Sequence, residues 1–257
     1  MNVLLIGDVI GRPGREAVRA LLPRLRREYA PDLVIVNGDN AAGGRGLTSK
    51  TAGELLDAGA DVISSGNHIW NQKEILPYLD SELPILRPLN YPPGVPGRGW
   101  IESKGVVVVQ LIGRVFVGEA DCPFRAFDQL VARSDVAGKI VVVDFHGEAT
   151  SEKTAFGWYA DGRAAAVLGT HTHVPTADLR VLPRGTAYAT DVGMVGPRDS
   201  VIGVDAAAAV RKFLTQIPAH LVVAEGGPVT FNSVLVEIDE RSRLARRIQR
   251  IDCEVSA

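Results

Sequence analysis

Short apolar runs that each stop at a cluster of polar, chemically capable residues recur along the chain, and they constrain its fold more than any other feature. Val3–Asp8 reads VLLIGD, Leu33–Asn40 reads LVIVNGDN and Asp61–His68 reads DVISSGNH. Lys139–Glu148 reads KIVVVDFHGE and Ala164–His173 reads AAAVLGTHTH. Apolar runs this short suit buried strands. The intervening stretches carry helical spacing: Val18, Leu21, Leu22 and Leu25 share a face of Arg12–Tyr29, with Pro13 near its start. Pro23 should kink or split that helix. A second helix is expected from Thr48 to Ala58, a third over Ser151–Ala160 and a fourth near Ala206–Leu214.

Later segments look more like hairpins. Gly105–Gly118 reads as a strand pair, and strands are expected around Leu221–Ala224 and Val229–Ile238, whereas Asn90–Gly99 (NYPPGVPGRG) reads as a long loop. No linker or repeat interrupts the 257 residues. The expectation is one α/β domain over residues 1–257, a two-sheet αββα sandwich of mixed sheets flanked by helices. Polar strand ends are where such sheets place their ligands.

Composition narrows the function classes. No window approaches the roughly 18 apolar residues of a membrane span. The opening apolar run is too short for a signal peptide's core and has no basic leader. Cys122 and Cys253 are far apart and read as packed, reduced thiols, so a cytoplasmic protein is expected. A net charge of −2 argues against general nucleic-acid binding, and the basic stretch Arg241–Arg250 reads as a solvated strand or helix face. A homo-oligomer would be ordinary for such a chain.

The strand ends collect Asp8, Asp39, Asn40, Asn67, His68, His146, His171 and His173, which include four of the five histidines. Each alone has a simpler explanation: the aspartates could cap turns, Asn67 could supply a turn, and His146 could be a core ring. Together they point to metal chemistry. His171 and His173, at i and i+2 of a strand end, would face the same way. Imidazole, carboxylate and amide without thiolate suit iron or manganese, with zinc also admitted, at open positions. Two cations about 3.5–4 Å apart with a shared carboxylate would bridge a water and aim hydroxide at phosphorus.

The order Gly7-Asp8, Asn37–Asn40, Gly66–His68, His146 and Gly169–His173 resembles the calcineurin-like metallophosphoesterases across most of the chain. Two departures stand out. The usual Asp-x-His is Asp8-Val9-Ile10, and the final Gly-His-x-His carries an extra Thr170. With GDVIGRPGR, NGDNAAGGRGLT, SSGNHIW, DFHGEATSEK and ATDVGMVGPRDSVIG, the chain looks like the bacterial YmdB-like family.

That resemblance implies a dimetal phosphodiesterase opening 2′,3′-cyclic nucleotides to 3′-nucleotides by attack of a metal-bridging hydroxide. It implies that Asp39 bridges both metals, that Asp8, Asn40 and His173 complete one site, and that Asn67, His146 and His171 complete the other. Asn40 would stand in for the missing histidine. His68 is expected to protonate the leaving oxygen or bind the phosphoryl group. Thr150 or Ser151 should cap a helix with Glu152 in its first turn, Glu148 and Lys153 are candidates either to support the metal ligands or to touch substrate, and Thr150 is a further candidate substrate contact. The Gly-rich loop Thr190–Pro197 could shape the pocket or be merely a tight connection. A phosphomonoesterase, a small-RNA nuclease and a metal- and phosphate-binding regulator remain alternatives. A dinucleotide-binding reading of GDVIGRPG is poor, because its glycines do not fit G-x-G-x-x-G.

Overall fold

A computed structural model of the protein describes residues 1–255. Strand β1 (Asn2–Ile6), the two-residue β2 (Asp8–Val9), helix α1 (Gly11–Tyr29), β3 (Leu33–Asn37), α2 (Ser49–Asp57) and β4 (Val62–Ser64) come first. A one-turn helix, α3 (Leu76–Leu79), precedes the hairpin of β5 (Trp100–Ser103) and β6 (Val106–Ile112). Helix α4 (Pro123–Val131), β7 (Ile140–His146), α5 (Thr150–Ala160) and β8 (Ala166–Thr170) follow. Then come β9 (Arg180–Val181), β10 (Ala187–Ala189), β11 (Met194–Pro197) and α6 (Ala206–Thr215). The chain finishes through β12 (Val229–Phe231), β13 (Ser233–Asp239), β14 (Leu244–Arg250) and β15 (Cys253–Val255).

Two mixed sheets form the frame, ordered β14-β13-β1-β3-β4 and β5-β6-β7-β8-β10-β9. Their period-two side chains divide the core into layers. Val3, Leu5, Leu33 and Ile35 meet Val106, Val108, Val142 and Leu168 between the sheets. The alternate residues Leu4, Ile6, Val34 and Val36 pack outward against Val18, Leu22 and Leu25 of α1 and Leu55 of α2. On the opposite side, Val107, Val109, Val143 and Phe145 pack against Phe127 of α4 and Phe156 of α5. This is the expected αββα sandwich. Every residue of β6 and β7 is buried, which explains runs as apolar as VVVVQLI and IVVVDFH.

Several local expectations are corrected. Helix α1 runs unbroken through Pro23, because Pro23 and Arg19, the residue whose carbonyl loses its partner, both lie on the solvent side. Val115–Gly118 is not a strand; Phe116 there is 88% exposed, and the partner of β6 is instead β5. Leu221–Ala224 forms one bridge, Val223 to Val204, rather than a strand. Met194–Pro197, read as loop, is β11 of an unforeseen third sheet, ordered β15-β12-β11-β2. Its parallel pairing of Met194 with Asp8 fixes where the first polar strand end sits. The basic stretch near the C-terminus is the edge strand β14, whose Arg246 and Arg247 pair with Asp239 and Glu237. Among the described residues, no helix is long and apolar enough to cross a membrane.

Candidate active site

The ends of β2, β3, β7 and β8 and the loop after β4 bring the sequence-selected residues together. Asp8, Asp39 and His146 are fully buried, and Asn40 is 5% exposed. His146 Nε2 lies 3.0 Å from Asn67 Oδ1, 3.0 Å from His171 Nδ1 and 3.4 Å from Asp39 Oδ2. Asp8 Oδ1 lies 3.8 Å from His146 Nδ1 and 4.0 Å from His173 Nε2, on the other side of the cluster. Gly66 makes this approach feasible: a Cβ there would stand 2.2 Å from His146 Nε2.

The tautomers follow from what lies behind the rings. Thr170 Oγ1 donates to Asp144 Oδ1 at 2.7 Å, so toward His146 Nδ1, at 3.0 Å, it can only accept. His146 therefore carries its proton on Nδ1 and presents a bare Nε2. Likewise His171 Nε2 donates to Glu148 Oε2 at 3.1 Å, which leaves Nδ1 bare. His173 Nδ1 donates to the Ile202 carbonyl at 2.8 Å and presents Nε2. Carboxylate or carbonyl partners on the far nitrogen are the usual way a protein orients a metal-binding imidazole.

Lone pairs on His146 Nε2, His171 Nδ1, Asn67 Oδ1 and Asp39 Oδ2 thus converge without a hydrogen among them. Adjacent atoms around a small divalent cation are spaced at about 3 Å, since each sits at about 2.0–2.2 Å. Among the described residues, the four buried side-chain polar atoms without a hydrogen-bond partner include Asp8 Oδ1 and Asn40 Oδ1. Asn40 Nδ2 is held by the Gly44 carbonyl at 2.9 Å, so its oxygen is the free end. No three His, Cys, Asp or Glu side chains among the described residues are closed around one point. His146, His171, Asn67 and Asp39 thus offer the donor set of a divalent-cation site, and Asp8, Asn40 and His173 offer further donors beside it.

The titratable groups of the cluster shift one another. Burial pushes the Asp8 carboxyl up, against the pull of His173 and His146. Asp39 is buried too, yet sits below the usual carboxylate range because His146, His68 and the Gly66 amide outweigh desolvation. Burial alone would lower His146, but Asp39 and Asp8 raise it. His171 is pushed down to about 3 by burial and by its neighbours His146 and His173.

Paired strand-end geometry is not how His171 and His173 reach it. Strand β8 stops at Thr170, and both histidines adopt left-handed backbone, with φ of +98° and +66°. Such conformations cost of order 1–3 kcal/mol each for non-glycine residues and collect at functional sites. His171 consequently faces His146, whereas His173 faces Asp8.

Other expected contacts are redistributed. His68 is half-buried, with Nδ1 3.0 Å from Asn71 Oδ1, and its backbone amide donates to Asp39. It lines a cavity of about 350 Å³ with Asn40, Glu148, His171, Thr172 and His173. Glu148 reaches His171 and so orients a ring. Lys153 is not a substrate contact: it is 1% exposed, and Nζ donates to Asp191 and to the Thr170 carbonyl, both at 2.7 Å. Thr150 is exposed in the first turn of α5, but the cap position is Ala149 and no side chain caps the helix. Glu152, in the same turn, instead accepts from the Arg114 and Val115 amides.

Behind the candidate ligands is a buried network that the motifs did not reveal. Asp144 accepts from Ser64 Oγ at 2.6 Å, Thr170 Oγ1 at 2.7 Å and Asn37 Nδ2 at 2.9 Å. Burial pushes its carboxyl up to about 6 despite those donors. Its signal was its position, since Asp144 is two residues before His146 on β7 and shares its face.

Known proteins carry the same framework. A family model described as YmdB-like protein matches residues 4–251. Over 255 residues the chain is 47% identical to the 2′,3′-cyclic-nucleotide 2′-phosphodiesterase of Bacillus subtilis (strain 168), covering 98% of this chain and 96% of that protein. A hypothetical protein of Thermus thermophilus, known from a crystal structure, superimposes with a TM-score of 0.92 at 45% identity over 99% of both chains. A crystal structure described as a novel phosphatase from Mycoplasma pneumoniae does so with a TM-score of 0.92 at 34% identity, covering 100% of this chain and 94% of that one. With the match running nearly from end to end, the chain belongs to the YmdB-like protein family.

Proposed function

We propose that the protein is a phosphoric diester hydrolase that opens nucleoside 2′,3′-cyclic phosphates to 3′-nucleotides with the help of two divalent cations, iron or manganese. The observation that carries this reading is the convergence of bare imidazole, carboxylate and amide atoms beside an open cavity. The naming of a 47%-identical relative as a 2′,3′-cyclic-nucleotide 2′-phosphodiesterase supports the substrate class. Asp8, Asn40 and His173 would hold one cation, Asn67, His146 and His171 the other, and Asp39 both. When bound, the pair would supply Lewis-acid charge and a water activated near neutral pH.

Ring opening consumes one water: a P–O bond forms, the bond from phosphorus to the 2′ oxygen breaks, and that oxygen takes a proton. We assign that proton to His68 in its imidazolium form: Nδ1–H donates to Asn71 Oδ1, which fixes the side chain at the cavity wall, and Nε2 carries the proton that is transferred. Glu148 and the Ile202 carbonyl hold His171 and His173 in the tautomers that face inward.

The test is hydrolysis of 2′,3′-cyclic AMP by protein reconstituted with manganese or iron, with the product isomer identified. Formation of 3′-AMP is expected. His68→Ala should lower kcat by about 10²–10⁴-fold while metal content is retained. Absence of turnover from a sample holding two ions per chain would overturn the substrate assignment. Unchanged turnover in His68→Ala would overturn the role of that side chain.

A further inference from the structure

A second cleft opens directly beside the cavity just described. It measures about 380 Å³ and shares Asn40, His68, His173 and Ile202 with that cavity, so the two are one continuous depression. Its chemistry differs from that of the ligand cluster. Ile10, Val204, Leu221 and Val223 give it apolar walls, and three polar side chains, Arg45, Gln72 and His220, stand at its rim. Among the described residues, neither Arg45 nor His220 makes a side-chain hydrogen bond or ion pair. Gln72 spends Nε2 on the Arg45 carbonyl at 2.9 Å, which leaves Oε1 free to accept.

We infer that this cleft is the seat of the substrate's nucleobase, a proposal that rests on the phosphodiesterase reading above. A planar heterocycle suits apolar walls with a few polar groups on one side. Arg45 brings donors for ring nitrogen or carbonyl acceptors, and Gln72 Oε1 can accept from an exocyclic amine. The mixture of donor and acceptor favours a base over a plain alkyl or aryl group, which would leave those groups unmatched.

Local structure holds the cleft open against the ligand cluster. On one side, the loop after β3 turns at Gly43, Gly44 and Gly46, all with positive φ. A Cβ on Gly44 would stand 2.9 Å from Val223 Cγ2, so loop and wall touch there, and only glycine combines that contact with a φ of +92°. On the other side, Val223 is anchored by its bridge to Val204, with the Asp205 amide donating to Val222 O and the Ala224 amide to Gly203 O, both at 3.0 Å. The Ile202 carbonyl on this wall is the same one that orients His173. A base seated in the cleft therefore presses on an element that sets a candidate ligand, and the sugar spans the shared residues. Ile202 remains 50% exposed, apolar surface that an incoming ring would cover.

Calorimetric titration of manganese-loaded protein with 3′-AMP and with base-free ribose 3-phosphate tests this without relying on turnover. Wild type should bind 3′-AMP at least about 10-fold more tightly than the sugar phosphate, the scale of one base–side-chain stacking contact. Leu221→Trp, which fills the cleft, should reduce that ratio to about 3-fold or less, and Arg45→Ala should reduce it severalfold. Ribose 3-phosphate should bind both variants as it binds wild type. Equal binding of the two ligands by wild type, a preference retained in both variants, or joint loss of both ligands would each overturn the proposal. Failure of wild type to hydrolyse 2′,3′-cyclic AMP is a separate result and refutes the phosphodiesterase reading alone.

Discussion

Replacing Thr170 by Val tests how the candidate centre is built. The side chains are nearly isosteric, so packing is kept and only a hydroxyl is lost. That hydroxyl donates to Asp144 at 2.7 Å and accepts from His146 Nδ1 at 3.0 Å. Asp144 keeps Ser64 and Asn37, but the fully buried His146 N–H is left without an acceptor. An orphaned buried donor costs about 1–3 kcal/mol. For a chain of this length each kcal/mol moves Tm by about 2–4 °C, so the metal-free protein should melt roughly 2–12 °C lower. With its tautomer no longer fixed, His146 should also hold a cation less well, by about 10–100-fold. Manganese titration by calorimetry and differential scanning calorimetry read the two effects separately. Thr170→Ser, which keeps the hydroxyl, should restore the affinity. A Thr170→Val protein with lowered Tm but wild-type affinity for both ions would refute the argument that Thr170 orients a ligand.

Four further substitutions probe the same architecture. Gly66→Ala places a methyl 2.2 Å from His146 and should cost about 1–3 kcal/mol and reduce bound manganese, whereas Gly53→Ala in α2, with nothing within 4 Å, should stabilise by about 0.5–1 kcal/mol; equal behaviour in denaturant melts would contradict the close-approach argument. Lys153→Met leaves Asp191 buried without its cation and should cost about 3–5 kcal/mol by urea unfolding; a loss below about 1 kcal/mol would show that the ion pair is dispensable. Asp61 is held below the usual carboxylate range: burial opposes this, but Lys104, the Val34 amide and Arg26 prevail. Its stabilisation is therefore complete above its unfolded value of about 3.9 and is lost as pH falls through the lower folded value. Wild type should exceed Asp61→Asn in stability at pH 7, with the gap closing below about pH 4; a gap that persists at pH 2 would contradict this sign.

Much of this was legible because burial and chemistry leave different marks in a sequence. A strand packed on both faces must be apolar throughout, so VLLI, LVIV and VVVV announce the two sheets, and the abrupt polar residue after each marks the sheet edge. Asp8, Asp39, Asn67, His146 and the THTH pair were visible for that reason. Less legible were features set by tertiary pairing. Strand β2 has two residues and carries no periodicity, so the third sheet could not be anticipated, and Met194–Pro197 looked like a loop because Gly193 and Gly196 punctuate it, although Gly196 is there for close packing, a Cβ on it standing 2.8 Å from Ile10 Cβ. The solvent side of α1 tolerates Pro23 because water can satisfy the freed Arg19 carbonyl. Left-handed backbone at His171 and His173 goes against their residue type and follows from where the rings are needed. The buried pairing of Lys153 could not be anticipated because its partner, Asp191, lies thirty-eight residues away along the chain.

The central claim is that two cations share Asp39 at these strand ends. A crystal structure of manganese-reconstituted protein, recorded at the manganese absorption edge, tests it most directly. The account predicts two anomalous peaks per chain, one among Asp8, Asn40 and His173, one among Asn67, His146 and His171, and Asp39 bonded to both. A single peak, or two peaks of which Asp39 touches only one, would contradict it.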